Sequence, residues 1–398
     1  MNEKQLKILV GVVLVLGLGA LLLRDEGGEG DGASRLGDKI YDNFNINAVA
    51  NMTVSEEGKS VTVNRSGTKG EWVNSELQNY PADFGRVRDL LMKVRDLKVS
   101  QSHEIDENLY GRFELGPSHG GKKLELKDAA GKTLYTLLLG KSGGGATWVL
   151  DAARPKLVAQ VDADFFDAST DADSWKDSKF FSVEKVKSLS VKYDFNGTRT
   201  FALSRQENFG AWELAGIQTN QVVNTENTGQ LDHALGSPSF TTIATPEQVK
   251  AASWDANTTT IDIETFDNFK YHIVLAEQPG GSTMLAKVNV TGDLKPKAPG
   301  KDKKGPLKLD VIAVSKRKEK LDWESGLKKW VFVVNNYTFN GVLKNRQDLV
   351  KAKEPVKPDP PKPPENPAPK EPKEESESGK KKPEPLKKET GNPKDKKK

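Results

Sequence analysis

The chain has 398 residues, 29% of them charged and 35% apolar, with a formal net charge of +4. That length supports two domains with cores of their own, and that polarity excludes a multispanning membrane protein. The chain contains no cysteine, which excludes disulfides, thiolate metal sites, a cysteine nucleophile and a lipid-modified N-terminal cysteine.

Charge is unevenly placed. Residues 351–398 hold fifteen Lys against ten Asp and Glu, or +5, so everything before them sums to −1. A nucleic-acid-binding domain carries a basic face of its own. No nucleic-acid partner is therefore expected.

Residues 8–23 are an unbroken run of apolar residues and glycines, preceded by Lys4 and Lys7 and followed by Arg24, Asp25 and Glu26. As a helix they span about 24 Å, short of the ~30 Å hydrocarbon core but within what snorkelling of Lys7 and Arg24 accommodates. Leu21, Leu22 and Leu23 run directly into Arg24 without the small-residue pattern of a cleavage site, so the reading is an anchor, not a signal peptide. The positive-inside rule places residues 1–7 in the cytoplasm and the body outside. Residues 24–37 are a linker.

The body matches itself. Val61-Thr-Val-Asn-Arg65, a loop and Gly70-Glu-Trp72-Val73 correspond to Phe201-Ala-Leu-Ser-Arg205, a loop and Gly210-Ala-Trp212-Glu-Leu214, at an offset of 140. Residues 124–128 and 133–140 correspond to 261–265 and 270–277 at a gapless offset of 137, and residues 49–54 correspond to 186–191. A nearly constant offset over matching order indicates duplication and not a short-period solenoid.

Each copy reads as alternating strands around one helix. Residues 128–131 and Asp267-Asn268 carry turn chemistry between paired strands. Residues 81–98 place Phe84, Val87, Leu90, Leu91, Val94 and Leu97 on one helical face, which predicts a helix covering a sheet. Residues 224–235 form a weaker counterpart in the second copy. Trp72 and Trp212 end the same strand in each copy and are expected to pack in the cores. The predicted organisation is repeat unit 1 over 38–168, an acidic connector over 169–181 and repeat unit 2 over 182–350. The second unit carries a Lys-rich insert at 294–329, a loop at 295–300 followed by helix over 307–329. A strand at 330–334 closes it. Residues 351–398 hold twelve of the twenty-one prolines and are expected to be disordered or locally polyproline II. The fold class is α+β: two tandem, mainly antiparallel sheets, each with a covering helix, after one transmembrane helix.

No chemical motif is complete. Gly140-Lys-Ser-Gly-Gly144 fits G-x-S-x-G, but a strand and not a helix follows it, so a hairpin is expected. A phosphate loop would need Gly where Tyr135 stands. His103, His119, His233 and His272 have no metal-ligand spacing. Asp162, Asp164, Asp167, Asp171, Asp173 and Asp177 lack the order of an EF-hand and read as a solvated linker. No catalytic, cofactor-binding or metal residue is assigned, and no cofactor is expected.

Several marks in fixed order carry a resemblance. They are the N-terminal anchor, Gly70-Glu-Trp72, the helix after Tyr80-Pro81, Tyr110-Gly111, Pro117, Leu124-Glu-Leu-Lys-Asp128 and Leu137-Leu-Leu-Gly140. Trp175-Lys-Asp-Ser-Lys-Phe-Phe181, Trp330-Val-Phe-Val-Val and Leu343-Lys-Asn-Arg-Gln-Asp-Leu349 follow. Over about residues 1–350 the chain resembles the bacterial family called domain of unknown function 4340. The resemblance implies a Gram-negative envelope protein whose gene neighbours those of an ABC-type transporter related to gliding motility. It supplies no catalytic residue.

The expected function is that of a non-enzymatic, periplasm-facing accessory or adaptor, held in the bacterial inner membrane by residues 8–23. Its expected partner is a protein of an ABC-transporter-like complex. The tail over 351–398 is expected either to reach an anionic envelope polymer or lipid or to serve as a solubilising extension. The alternative is an envelope hydrolase or carbohydrate-binding protein with a site in the cleft between the two units.

Overall fold

The computed structural model describes residues 36–66, 70–193, 200–254, 257–278, 281–293 and 311–354. The expected anchor at 8–23, most of the linker, the loop at 295–300 and the tail beyond residue 354 lie outside these residues. Among the described residues no helix is long and apolar enough to cross a membrane.

The first half folds as β1 (Asn51–Glu56), β2 (Lys59–Ser66), β3 (Glu71–Asn74), β4 (Tyr80–Pro81), α1 (Phe84–Asp96), β5 (Val99–Glu104), β6 (Lys122–Lys127), β7 (Thr133–Gly143), β8 (Ala146–Asp151) and β9 (Leu157–Val161). The strands form one antiparallel sheet in the order β4-β3-β2-β1-β6-β7-β8-β9-β5. The second half begins with β10 (Val186–Tyr193), β11 (Phe201–Ser204), β12 (Glu213–Leu214), β13 (Gln221–Val223), α2 (Thr225–Gly229), β14 (Thr242–Ile243) and α3 (Pro246–Ala251). It continues with β15 (Thr258–Thr265), β16 (Phe269–Glu277), β17 (Thr283–Gly292), α4 (Val311–Gly326), β18 (Val331–Asn335) and β19 (Val350–Ala352). Its main sheet runs β12-β11-β10-β15-β16-β17-β18-β14, and β13 pairs with β19 apart from it. Both sheets fall within a single unit that ends at Lys353.

The two sheet orders are the same once β4 is set aside. In each, three strands form a meander, the fourth strand joins the far edge, and the next four close the gap. Registers agree as well. Met52 faces Val63 and Leu126, and Leu189 faces Leu203 and Ile263. One residue departs from the gapless match expected across the following hairpin. Leu126 pairs with Tyr135 but Lys127 with Thr133, so Leu134 is extra, whereas Ile263-Glu264 pairs continuously with Tyr271-Lys270. A bulge of this kind adds one residue to one strand and leaves the flanking faces in phase. Beyond it Tyr135 is equivalent to Tyr271, at an offset of 136 and not 137.

Each sheet buries one face under helix. Asp83 caps α1 by accepting from the Arg86 amide at 3.1 Å, and Val87, Leu90, Leu91 and Val94 pack on Met52, Val54, Leu124 and Leu126. Phe84, expected on this buried face, is instead 60% exposed. It is the first residue of α1, next to the edge strand β4, and it lines the groove described below. In the second half α2 is short, and Leu231 and Leu235 just after it, with Leu321 and Leu327 from the α4 region, cover the sheet. The helix expected over 307–329 is observed as α4 and a following 3-10 turn, Leu327–Lys329. The same Arg–Trp contact recurs in both halves. The Arg65 guanidinium lies 5.3 Å from the Trp72 ring, and that of Arg205 lies 4.3 Å from Trp212. Both indoles are buried as expected.

The acidic run between the halves is a packed latch and not a solvated linker. Trp175 is fully buried in the first core, while Phe180 and Phe181 enter the second. The carboxylates have local work. Asp167 receives Lys93 Nζ at 2.8 Å, Asp171 accepts from the Asp173 amide at 3.1 Å and from Ser174 Oγ at 3.2 Å, and Asp173 pairs with Lys176 at 3.2 Å. In return the first half sends Leu77 and Tyr80 into the second core. Tyr80 has no exposed surface, and its ring meets Trp330, Phe240 and Phe332 edge-on at centroid separations of 5.0, 5.6 and 6.1 Å.

Helix α4 is fixed to its sheet by a buried carboxylate. Glu324 is 2% exposed; it accepts from Tyr271 Oη and from the Ser182 amide, both at 2.9 Å, with Lys320 Nζ at 3.8 Å. Burial holds its pKa above the ordinary glutamate range, against the opposing pull of Lys320 and these hydrogen bonds.

Two outcomes follow from this packing. Tyr80→Ala should cost about 3–5 kcal/mol, and hydrogen exchange should show amides of both sheets losing protection together. Protection lost in one sheet alone would refute the interlock. For Glu324 the folded state binds the proton more tightly than the unfolded state. Its contribution to stability is therefore greatest below the ordinary glutamate pKa and declines as pH rises through the folded value. In thermal melts from about pH 4 to pH 8, Glu324→Gln should flatten that decline; an unchanged slope would contradict the assignment.

Candidate functional site

Where β3 and β4 of the first sheet meet α4 and β18 of the second, the surface opens into a groove of about 930 Å³. Its walls are aromatic. Trp72, Tyr80 and Phe84 come from the first half, and Trp323 and Trp330 from the second. The sequence produces this locally in two ways. The β3–β4 turn, with Gln78 and Asn79 at positive φ, projects Leu77 and Tyr80 toward the second sheet. The chain leaving α4 turns back through Leu327–Lys329 and sets Trp330 at the head of β18.

The groove is rigidly braced. Trp330 Nε1 donates to the Gln78 carbonyl at 3.0 Å, and the Gln78 side-chain amide donates to the Ala244 carbonyl. Trp323 Nε1 donates to the Phe180 carbonyl at 3.2 Å, and Tyr80 Oη to the Lys179 carbonyl at 3.2 Å. The polar edges of these rings are thus satisfied within the protein, and parts of the apolar faces of Trp323 and Trp330 line the opening. Trp323 and Trp330 are half-buried.

Charges rim it. Glu71, Glu319 and Asp322 are exposed acids, and Asp322 is paired with Lys318 on the same helix. Lys179 Nζ lies 4.9 Å from the Trp323 ring centroid and Lys329 Nζ 5.7 Å from that of Trp330. Asp177 sits lower. Its amide donates to the Pro81 carbonyl at 2.9 Å, and its carboxylate accepts from the Lys179 amide at 2.8 Å. Burial pushes the Asp177 carboxyl up, the charge of Asp83 adds to this, and the Lys179 amide opposes it. Burial also raises Tyr80, with Asp177 adding to the effect.

A second cavity, of about 790 Å³, lies within the second half beside Arg205, Asp232, His233, Phe209 and Tyr337. Its buried charges pair with each other. Arg205 is buried, pairs with Asp232 at 2.8 Å, donates through Nε to the Val186 carbonyl at 2.7 Å and stacks on Trp212.

The motifs weighed from sequence do not converge. Gly140–Gly144 spans the β7–β8 hairpin, as expected, and Ser142 Oγ meets Thr147 Oγ1 across it at 2.9 Å. Gly140 is required for packing: a Cβ there would lie 2.2 Å from the Phe113 carbonyl oxygen. The four histidines are dispersed. His103 stands beside Trp148, His119 Nδ1 lies 3.1 Å from the Leu115 carbonyl, His233 is near Phe209, and His272 Nδ1 lies 2.7 Å from Asp262. Among the described residues no group of three His, Cys, Asp or Glu could hold a metal ion. The groove itself has no spacing signal. Trp72 and Trp330 are far apart in the chain, and of the acidic run only Asp177 reaches it.

No curated protein and no solved structure matches the chain. A family model matches residues 72–255, a segment that begins on β3 and takes in the connector between the halves. It includes Tyr80 and Asp177 but not Trp323 or Trp330. Across that segment the chain is similar to the family described as domain of unknown function (DUF4340).

Proposed function

We propose that the chain is a membrane-anchored, periplasm-facing accessory protein that binds a partner protein through the groove between its two halves. The observation that carries this reading is the braced aromatic wall drawn from both sheets, with Phe84 60% exposed at its lip. Aromatic anchors in preorganised clefts contribute heavily to protein–protein affinity, because little conformational entropy is lost when they are covered. The run over residues 8–23 supports the anchor and the orientation. A transporter-like complex as the partner rests on the family resemblance, and the basic tail adds a weak, salt-sensitive attraction to anionic envelope polymer or lipid.

Phe84 is exposed and Glu319 is on the rim, so both can be changed without touching a core. Phe84→Ser with Glu319→Lys should lower capture of the partner from crosslinked membranes by about tenfold or more, with no change in Tm. Full capture by this double variant would remove the groove from consideration.

Asp177 favours a second reading, in which the groove holds a glycan and the raised carboxyl protonates the leaving oxygen while water adds to the sugar carbon, the proton released by that water restoring the carboxyl. Asp177→Asn should then abolish turnover of cell-wall oligosaccharides while sparing their binding. Under the accessory reading the wild-type chain shows no such turnover, and Asp177→Asn leaves partner capture intact.

A further inference from the structure

Leu36 and Phe166 are 79% and 81% exposed, the highest values among the large apolar side chains of the described residues. They occupy one corner of the first half. Leu36, Lys93, Asp162 and Ala163 border the same depression, and Phe166 follows in a turn tied to Lys93. Met92, 38% exposed, precedes Lys93 on α1. Neither protrusion belongs to a loose segment. Lys93 Nζ donates to the Asp164 carbonyl at 2.9 Å and the Asp167 carboxylate at 2.8 Å, and Arg86 Nη2 to the Asp167 carbonyl at 2.9 Å. Within that turn Phe165 is buried in the first core and Phe166 points out. Beside Leu36, the Gly37 amide donates to the Val99 carbonyl at 2.8 Å and the Ile40 amide to that of Leu97 at 3.1 Å. Apolar groups held outward by satisfied polar contacts lose little entropy when something covers them.

We propose that this corner, with Leu36 and Phe166 as its points, rests in the interfacial layer of the bilayer that carries the anchor. The inference rests on the reading of residues 8–23 as a transmembrane anchor. Only twelve residues, 24–35, separate that run from Leu36. Twelve residues of any conformation cannot span more than about 42 Å. The corner is therefore kept near the membrane, where even weak insertion is populated through a high effective concentration. The surrounding charges are nearly balanced. Lys39 and Arg95 contact Asp96, Lys93 contacts Asp164 and Asp167, Arg88 contacts Asp89, and Lys98 stands opposite Asp162 in the sign of its charge. The net electrostatic attraction is accordingly small, and the contact made by Leu36 and Phe166 is insensitive to salt.

The chain has no cysteine, so Asp162→Cys provides a unique label site that leaves both apolar points intact. The full chain is reconstituted in phosphatidylcholine vesicles and labelled there, or at the exposed Lys250→Cys in the second half, with a fluorophore quenched by headgroup-level spin-labelled lipid. Quenching at 162 should exceed that at 250 by about threefold or more, persist in high salt, and fall when Leu36→Ser and Phe166→Ser are added. Equal quenching at both sites in a chain that still floats with vesicles overturns the docking and leaves the anchor standing. A chain that does not float overturns both. A signal that depends on protein density and not on the lipid quencher assigns the corner to a second copy, and overturns the proposal.

Discussion

The reciprocal exchange of side chains between the two sheets is the constraint on which the rest depends. Tyr80 and Leu77 leave their own sheet to complete the second core, and the connector returns Trp175 to the first while giving Phe180 and Phe181 to the second. Buried rings of this size each remove a large apolar area from water, and their close edge-on contacts with Trp330, Phe240 and Phe332 add orientation. A hinge between the halves would have to expose this surface. The junction therefore behaves as core and not as a wet interdomain interface.

The groove is a consequence of that junction. Two copies of one topology lie side by side, but their helical layers differ. The first is covered by the thirteen-residue helix α1, whereas the second has the five-residue α2 supplemented by α4. Since α4 and Trp330 have no counterpart in the first half, the surface where they approach β3 and β4 is not covered by either layer. Trp323 and Trp330 serve two ends at once. The indole N–H of each braces the junction through a hydrogen bond to a main-chain carbonyl, and another edge lines the opening.

Duplication also shows which features belong to the shared fold and which to one copy. The Arg–Trp stack recurs, so it belongs to the ancestral unit. In the second copy Arg205 is buried further and paired with Asp232, while Arg65 stays near the surface and donates to the Asn47 carbonyl. The small apolar clusters on the opposite sheet faces recur too, Leu115 with Leu150 and Val158 in one half and Leu285 with Val333 and Ala244 in the other. The buried Glu324 is a feature of the second copy alone, introduced with α4. Its hydrogen bonds tie the added helix to Tyr271 and Ser182, where a buried carboxylate without partners would be costly.

Local pattern determined the strands, the α1 helix, the turns and the duplication, because strand alternation, helical periodicity and turn chemistry act over a few residues. Those signals placed Val87, Leu90, Leu91 and Val94 on the sheet and Trp72 and Trp212 in equivalent cores. They misplaced Phe84, whose period matches the buried face but whose position at the first turn carries it to the sheet margin. They also misread the run from Asp162 to Asp177, because Asp167, Asp171, Asp173 and Asp177 gain partners from an element or turn that composition does not reveal. Only the tertiary structure decided that Tyr80, Trp175 and Phe180 interlock the halves and that Trp72 and Trp330 share one groove. Such contacts join residues far apart in the chain, and nothing in the spacing of one sequence encodes which buried ring crosses to which core.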